Sequence, residues 1–254
     1  MRLPNFLIIG GTKCGTTALW YNLDKHPDIS MATRNDHTLE MHFWGSKTWG
    51  NGLEWYSNRF DQDENKIVGE KSTEYCSNKR SLKLAKKHIP DLKLIYCVRN
   101  PIDRAYSNFQ MNKRAGKVSS FNFNIFKQNY ASAGNYFGRI RGNVLRNFKK
   151  EQLYICIMEH MKENTTEEMS KVFNFLGAED LKLKQKILSN GVLLRNRTRQ
   201  EDIKANKKED YYRVWSKHTD RLEGPLRERL IEHYKPLNAK LYDFLGYKIE
   251  EWDK

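Results

Sequence analysis

Between Gly10 and Thr17 the chain reads Gly-Gly-Thr-Lys-Cys-Gly-Thr-Thr, residue types that together suit the binding of an anion. Glycines let the main chain turn tightly and present successive N–H groups. A helix opening directly afterwards adds the positive end of its dipole. Gly10 and Gly15 have the spacing of the glycines in a nucleotide P-loop. A nucleotide kinase would place a lysine and then a hydroxyl residue directly after the second glycine, for the β/γ-phosphates and Mg²⁺. Here Thr16 and Thr17 stand in those positions, and Lys13 precedes Gly15 by two residues. Leu92–Val98, read as a strand, ends in Arg99 where a magnesium enzyme would need an aspartate. The cradle is present without the magnesium apparatus, which argues against a magnesium NTPase. Ser107 follows Arg99 by eight residues. With a helix opening near Pro101, the two side chains can reach one phosphate.

Gly-Thr-Lys-Cys-Gly-Thr-Thr-Ala-Leu (residues 11–19) resembles the 5′-phosphosulfate loop of sulfotransferases that use 3′-phosphoadenosine 5′-phosphosulfate (PAPS). The resemblance implies that Lys13 contacts the bridging oxygen and 5′-phosphosulfate, and that Cys14, Gly15, Thr16 and Thr17 wrap the same group. Arg99-Asn-Pro-Ile-Asp-Arg-Ala-Tyr-Ser107 is similar to the family's 3′-phosphate motif, in which that arginine and that serine hold the 3′-phosphate. Glu40-Met-His-Phe-Trp44 resembles the Glu-x-His-Phe-Phe segment of the heparan-type branch, where the glutamate is the proposed base. Carried over, Glu40 takes the acceptor proton and His42 orients or assists it. His42 is also the rival base, since other branches of the superfamily use histidine. Gly69-Glu-Lys-Ser-Thr-Glu-Tyr75 resembles the family's Glu-Lys-Thr-Pro-x-Tyr strand end, without its proline. This makes Lys71 a stabiliser of charge on the sulfuryl oxygens. The implied reaction is in-line displacement at sulfur, with PAPS as cosubstrate, no metal, and the hydroxyl of a carbohydrate or small molecule as acceptor.

The elements that must position these residues alternate. Strands are read at Phe6–Gly10, Lys66–Glu70, Leu92–Val98 and Leu153–Met158. Helices are read from Thr16, over Ile102–Arg114, ending through Val144–Phe148, over Thr165–Leu176 with Thr165 and Glu168 as a capping box, and over Glu223–Leu245 as one long helix or a helix pair bent at Pro236. Such an order predicts an α/β, P-loop-like three-layer fold, a central parallel sheet flanked by helices, with ligands at the carboxyl ends of the strands. Tyr136 or Phe137 lies where the family has a tyrosine before a helix, and Leu241–Gly246 and Trp252 match the family's closing helix and tryptophan. Arg195–Asp210, polar and basic, is read as a mobile loop, and Arg195–Arg197 sit where the family's loop closes over the cofactor.

The 254 residues suit a single sulfotransferase domain, and 39% hydrophobic residues suffice for its core. A net charge of +14 fits a polyanionic cosubstrate, and equally nucleic acid or an anionic polymer. Two rivals stand beside the transferase: a P-loop small-molecule kinase, and a basic nucleic-acid-binding protein that would need aromatics interleaved on one basic face. Trp44, Trp49, Trp55 and Tyr56 are plentiful aromatics, but they follow the proposed base and suit an acceptor cleft equally well; no nucleic acid is expected as partner. No apolar run approaches the roughly 20 residues of a membrane span, and Phe6–Ile9 is too short for a signal peptide. Cys14, Cys76, Cys97 and Cys156 have neither disulfide-framework nor zinc spacing. A cytoplasmic location is expected.

Overall fold

Phe6–Gly10 is an uninterrupted apolar run ending in glycine, and it forms β1 with every residue buried. Burial on both faces is the mark of an inner strand of a parallel sheet covered on each side. The computed structural model describes residues 1–34, 38–179 and 221–253. β2 (Ile29–Met31), β3 (Ile67–Lys71), β4 (Lys93–Val98) and β5 (Leu153–Ile157) complete a five-stranded sheet of order β2-β3-β1-β4-β5. All its pairings are parallel. β2 is absent from the sequence reading, because three residues at a sheet edge carry no usable periodicity.

The chain fills one side of β1 with β2 and β3, then crosses to the other side for β4 and β5. That reversal opens a crevice at the carboxyl end of β1, flanked by the ends of β3 and β4, where sheets of this kind bind ligands. α1 (Thr16–Leu23) follows β1 directly. α2 (Gly52–Ser57) lies between β2 and β3, and α3 (Lys79–His88) follows β3. α4 (Pro101–Arg114) starts three residues after β4, with Pro101 in the first turn. The Asn100 side chain caps it by accepting from the N–H groups of Ile102 and Asp103, a device that contributes about 1 kcal/mol.

α5 (Phe123–Asn129), Phe109 of α4 and the long helix Pro225–Leu245 enclose a second apolar cluster around Phe126, Tyr130 and Tyr234. The main cluster surrounds the sheet. Pro236 lies inside the long helix, which runs through it without being divided into a pair. α7 (Met158–Glu163) follows β5, and α8 (Thr165–Leu176) follows α7.

Two local expectations are corrected. Asn164, not Thr165, caps α8, accepting from Glu167 N at 3.2 Å, while the Thr165 hydroxyl donates to Met161 O. The segment before β5 is not a regular helix ending through Val144–Phe148. α6 (Tyr136–Arg139) passes into a wider π turn at Ile140–Val144. There the buried Asn143 donates to Cys76 O at 2.8 Å, a tertiary bond that local periodicity cannot announce.

Candidate functional site

The anion loop leaves β1 at Gly10, whose φ of 142° lies outside the range that side-chain-bearing residues adopt readily. A Cβ there would stand 2.6 Å from Cys76 Sγ and 2.9 Å from Thr73 O. The loop is pinned by Gly11 N donating to Cys97 O and Cys14 N donating to Gly11 O. Gly15, left-handed at φ 81°, turns the chain into α1. The N–H groups of the first turn have no partner within the helix and face the crevice end of the sheet. Thr17 is exposed at that end and Thr16 is buried. Lys13 is half-buried, and burial lowers its pKa, assisted by the charges of Arg114 and Arg99 nearby. An ammonium so placed gains most from an arriving anion. Cys14 differs from its neighbours. Its thiol is buried 3.6 Å from the Tyr136 hydroxyl and pushed up to about 11 by burial, so it lies beneath the loop in its neutral form.

Arg99 ends β4 on the other side of the crevice. Its guanidinium donates to Lys13 O at 3.4 Å, tying the second anchor to the first. Tyr136 braces both, donating to Arg99 O at 2.7 Å while its oxygen meets the Cys14 thiol. Glu159 fixes the turn beyond: its carboxylate accepts from Asn100 N and from Trp252 Nε1, each at 3.0 Å. Ser107 is half-buried two helical turns after Asn100, hence on the same face of α4. Arg114 repeats that interval at the end of the helix, which accounts for its influence on Lys13.

On the β3 side, Lys71 is the last residue of the strand and its side chain is 3% exposed. Its ammonium donates to Thr17 Oγ1 and to Glu40 Oε1, both at 3.1 Å. The other Glu40 oxygen accepts from the Thr73 hydroxyl at 3.0 Å and the Thr73 N–H at 3.3 Å. Burial by itself would raise the Glu40 pKa. The Lys71 charge and the bonds from Lys71 and Thr73 outweigh it and hold the carboxyl below its usual range. His42 stands between two carboxylates, with Nε2 3.4 Å from Glu40 Oε2 and Nδ1 3.0 Å from Glu74 Oε1, the latter off the line of a hydrogen bond. Thus Thr17, Lys71, Glu40 and His42 form one connected group, and Arg99 is tied to the same loop at the Lys13 carbonyl.

Comparison with known proteins decides what this group belongs to. The sulfotransferase domain model matches residues 3–225. The chain belongs to the sulfotransferase domain family. Among its relatives is the bifunctional heparan sulfate N-deacetylase/N-sulfotransferase 2 of Homo sapiens, 27% identical over 195 residues, a match covering 69% of this chain and 22% of that protein. The chain therefore spans only about a fifth of that relative's length. A sulfotransferase from Alicyclobacillus acidocaldarius shares the fold at TM-score 0.71 and 21% identity, over 100% of both chains. Mouse sulfotransferase SULT7A1, solved complexed with PAP, aligns at TM-score 0.59 and 15% identity, over 96% of this chain and 86% of that one. The P-loop-like α/β fold expected from the sequence is the observed one.

Several residues that complete this group have no role assigned from the sequence. Thr73 holds Glu40, Tyr136 and Glu159 brace the Arg99 turn, and Arg114 adds charge beside Lys13. Thr73 has a visible signal in the Glu70–Tyr75 run and Tyr136 has one as the tyrosine that the family places before a helix, whereas Glu159 and Arg114 have none. The aromatic cleft is corrected: Phe43, Trp44 and Tyr56 are completely buried, with Phe43 and Tyr56 stacked at 4.0 Å. They anchor the segment after Glu40 and cannot receive a sugar ring, whereas Trp49 and Trp55 remain partly exposed. Arg195–Arg197 and the expected mobile loop lie outside the described residues. Among the described residues, no group of three or more His, Cys, Asp or Glu could hold a metal ion, and no helix is long and apolar enough to cross a membrane.

The geometry of Gly10 yields a direct test. Gly10→Ala forces a strained φ and a clash with the Thr73–Cys76 turn that also supplies the donor to Glu40. The variant is expected to unfold at lower temperature and to lose most of its thermal response to nucleotide, measured by differential scanning fluorimetry.

Proposed function

We propose that this sulfotransferase moves a sulfuryl group from PAPS to an acceptor hydroxyl, on a carbohydrate or a small molecule. The observation that carries this reading is Lys71, a buried ammonium shared between the anion loop, through Thr17, and the carboxylate Glu40. The cation set Lys13, Arg99 and Arg114 and the Gly10 cradle suit a ligand bearing two separated phosphate-type groups. Lys13, Gly15, Thr16 and Thr17 would hold the 5′-phosphosulfate, and Arg99 and Ser107 the 3′-phosphate. Cys14 would act from below by shaping the loop. PAPS supplies an activated sulfur whose bridging oxygen leaves as phosphate.

Glu40 accepts the acceptor proton as the new oxygen–sulfur bond forms and the bond from sulfur to the bridging oxygen breaks. Lys13 and Lys71 balance the charge gathering on the leaving phosphate and the sulfuryl oxygens, the kind of preorganised stabilisation that a fixed cation provides without reorganisation. His42 positions Glu40. A second reading of the acceptor, an amine of a carbohydrate, is favoured by the N-sulfotransferase relatives. Parallel assays with N-desulfated and N-acetylated polysaccharides separate the two.

The cosubstrate is tested by thermal unfolding with 3′-phosphoadenosine 5′-phosphate (PAP) against ATP with Mg²⁺. At about 100 times its Kd a ligand adds ~2.7 kcal/mol, so a shift of about 5–10 °C is expected with PAP. A shift confined to ATP with Mg²⁺ would replace this reading with a kinase.

A further inference from the structure

Beneath the proposed base lies a carboxyl group that the mechanism above does not use. Glu70, the residue before Lys71 in β3, is completely buried. Three hydroxyls surround it. Tyr56 donates to Glu70 Oε1 at 3.2 Å, Ser72 donates to Oε2 at 3.0 Å, and Tyr75 bonds to the same carboxyl. Each hydroxyl also accepts from the segment that follows Glu40. Ser72 Oγ accepts from His42 N at 2.8 Å. The Tyr75 hydroxyl accepts from Phe43 N at 2.8 Å and Trp44 N at 3.3 Å. The Tyr56 hydroxyl accepts from Trp44 Nε1 at 3.0 Å. Every path therefore runs from an N–H of residues 42–44, through one hydroxyl, to one carboxylate.

The direction of these bonds matters. A hydroxyl has one proton, and it can accept well from an N–H only if that proton points elsewhere. An ionised carboxylate is purely an acceptor, and it draws all three hydroxyl protons toward itself. That leaves the lone pairs of the three hydroxyls facing the four N–H groups of His42, Phe43 and Trp44. We propose that Glu70 is a positioning residue, which in its ionised form orders the Ser72, Tyr56 and Tyr75 hydroxyls and thereby fixes the His42–Trp44 main chain and the Glu40 carboxylate beside it.

This rests on the reading of Glu40 as base, and it adds a pH dependence. Protonated Glu70 becomes a donor, so one hydroxyl must turn its proton away from the carboxyl and toward the N–H it accepts from, which weakens that bond. Burial pushes the Glu70 carboxyl up to about 7, against the bonds from Tyr75, Ser72 and Tyr56, and with the Glu40 charge also raising it. The groups facing it are Glu40 and His42 from the segment after β2, Tyr56 from α2, and Ser72 and Tyr75 from the turn after β3. The ammonium of neighbouring Lys71 is directed to Thr17 and Glu40. Leu7 pairs with it from β1 and brings no charge. Glu40 is held below the usual carboxylate range, so of the two carboxyls Glu70 is the one expected to give an acid limb near neutrality, and His42→Gln tests whether the imidazole beside Glu40 contributes to it.

The experiment uses the full chain and two readouts. Tryptophan fluorescence titrated across neutrality needs no acceptor; the chain has six tryptophans, so the Trp44 signal is taken as the difference from Trp44→Phe, and His88→Gln removes the imidazole whose ring lies 5.7 Å from the Trp44 indole. Transfer from PAPS to desulfated heparan gives the pH–rate profile. The wild type is expected to show a fluorescence step near 7 that coincides with the acid limb of kcat. Glu70→Gln should lose the step and transfer about 10–100-fold more slowly, the scale of a displaced catalytic group, with an unchanged KM for PAPS. Its thermal shift with PAP shows that it folds. If Glu70→Gln does not fold, Ser72→Ala and Tyr56→Phe each remove one path and should lower kcat with the same sparing of KM. Glu40→Gln should keep the step and move it to lower pH, because a neighbouring negative charge has gone. A wild type without the step, or Glu70→Gln and Ser72→Ala with the wild-type rate and profile, overturns the proposal. Full activity in Glu40→Gln instead overturns the assignment of the base and leaves the fluorescence result to stand for Glu70 alone.

Discussion

Glu40→Gln is expected to slow sulfuryl transfer by about 10²–10⁴-fold, the range a positioned general base contributes, while PAP still raises the unfolding temperature as in the wild type. The amide keeps the size of the side chain, and its oxygen can still accept from Lys71 or from Thr73. What it loses is the capacity to take a proton. An alcohol is a poor nucleophile until its proton begins to leave, so the loss falls on kcat and spares the nucleotide. His42 is the control. Its Nε2 lies 3.4 Å from Glu40 Oε2, close enough to orient the carboxylate. If His42 only positions Glu40, His42→Ala should cost less than Glu40→Gln. A full rate in Glu40→Gln with an inactive His42→Ala would transfer the role of base to the imidazole.

How far these roles could be seen in the sequence depends on the distance over which each is assembled. The anion loop is local. Strand, glycines, hydroxyls and helix are contiguous from Phe6 to Leu23, so their order alone announces the cradle, and β1 and α1 lie where the apolar pattern puts them. Arg99 and Pro101 are likewise legible, because a strand end and a helix start adjoin. The pairing of Glu40 with Lys71 is a different matter. The residues are 31 apart and meet because the chain leaving β2 runs on beside the end of β3, where Glu40 and Lys71 form an isolated parallel bridge. No periodicity encodes that approach, and only resemblance to a family named both residues.

The aromatic run shows the opposite failure. Trp44 and Tyr56 have a composition that suits a sugar-binding cleft, yet both are sealed in the core, where the indole N–H and the phenol are satisfied by each other and by Glu70. Sequence shows that a residue is aromatic and not which way it faces. Glu70 was quoted within its motif, but a carboxyl beside a lysine at a strand end looks like a solvated pair. Its three hydroxyl partners come from α2 and the turn after β3, so its role exists only in the folded chain.

Lys71→Met is expected to lower kcat by about 10²–10³-fold, the cost of removing one preorganised donor from a charge-developing site. Methionine fills the same buried space, so the effect isolates the ammonium. The same substitution makes a claim about stability. The Glu40 carboxyl is held below its ordinary range in the folded chain: burial opposes this, and Lys71 is the chief influence that lowers it. A depressed carboxyl contributes stability that is present above the unfolded value and is lost as pH falls through the folded one. The variant lacks most of that contribution at neutral pH, and a protonated Glu40 needs no cation. The gap in unfolding temperature between wild type and Lys71→Met should therefore narrow as the pH is lowered through the carboxylate range. A constant gap would mean that Lys71 acts through packing alone. Because Lys71 and Glu40 share one hydrogen bond, the double variant should cost little more in kcat than the worse of the two single ones, as residues acting as a unit do. Losses that multiply would separate the cation at the sulfuryl group from the base at the acceptor.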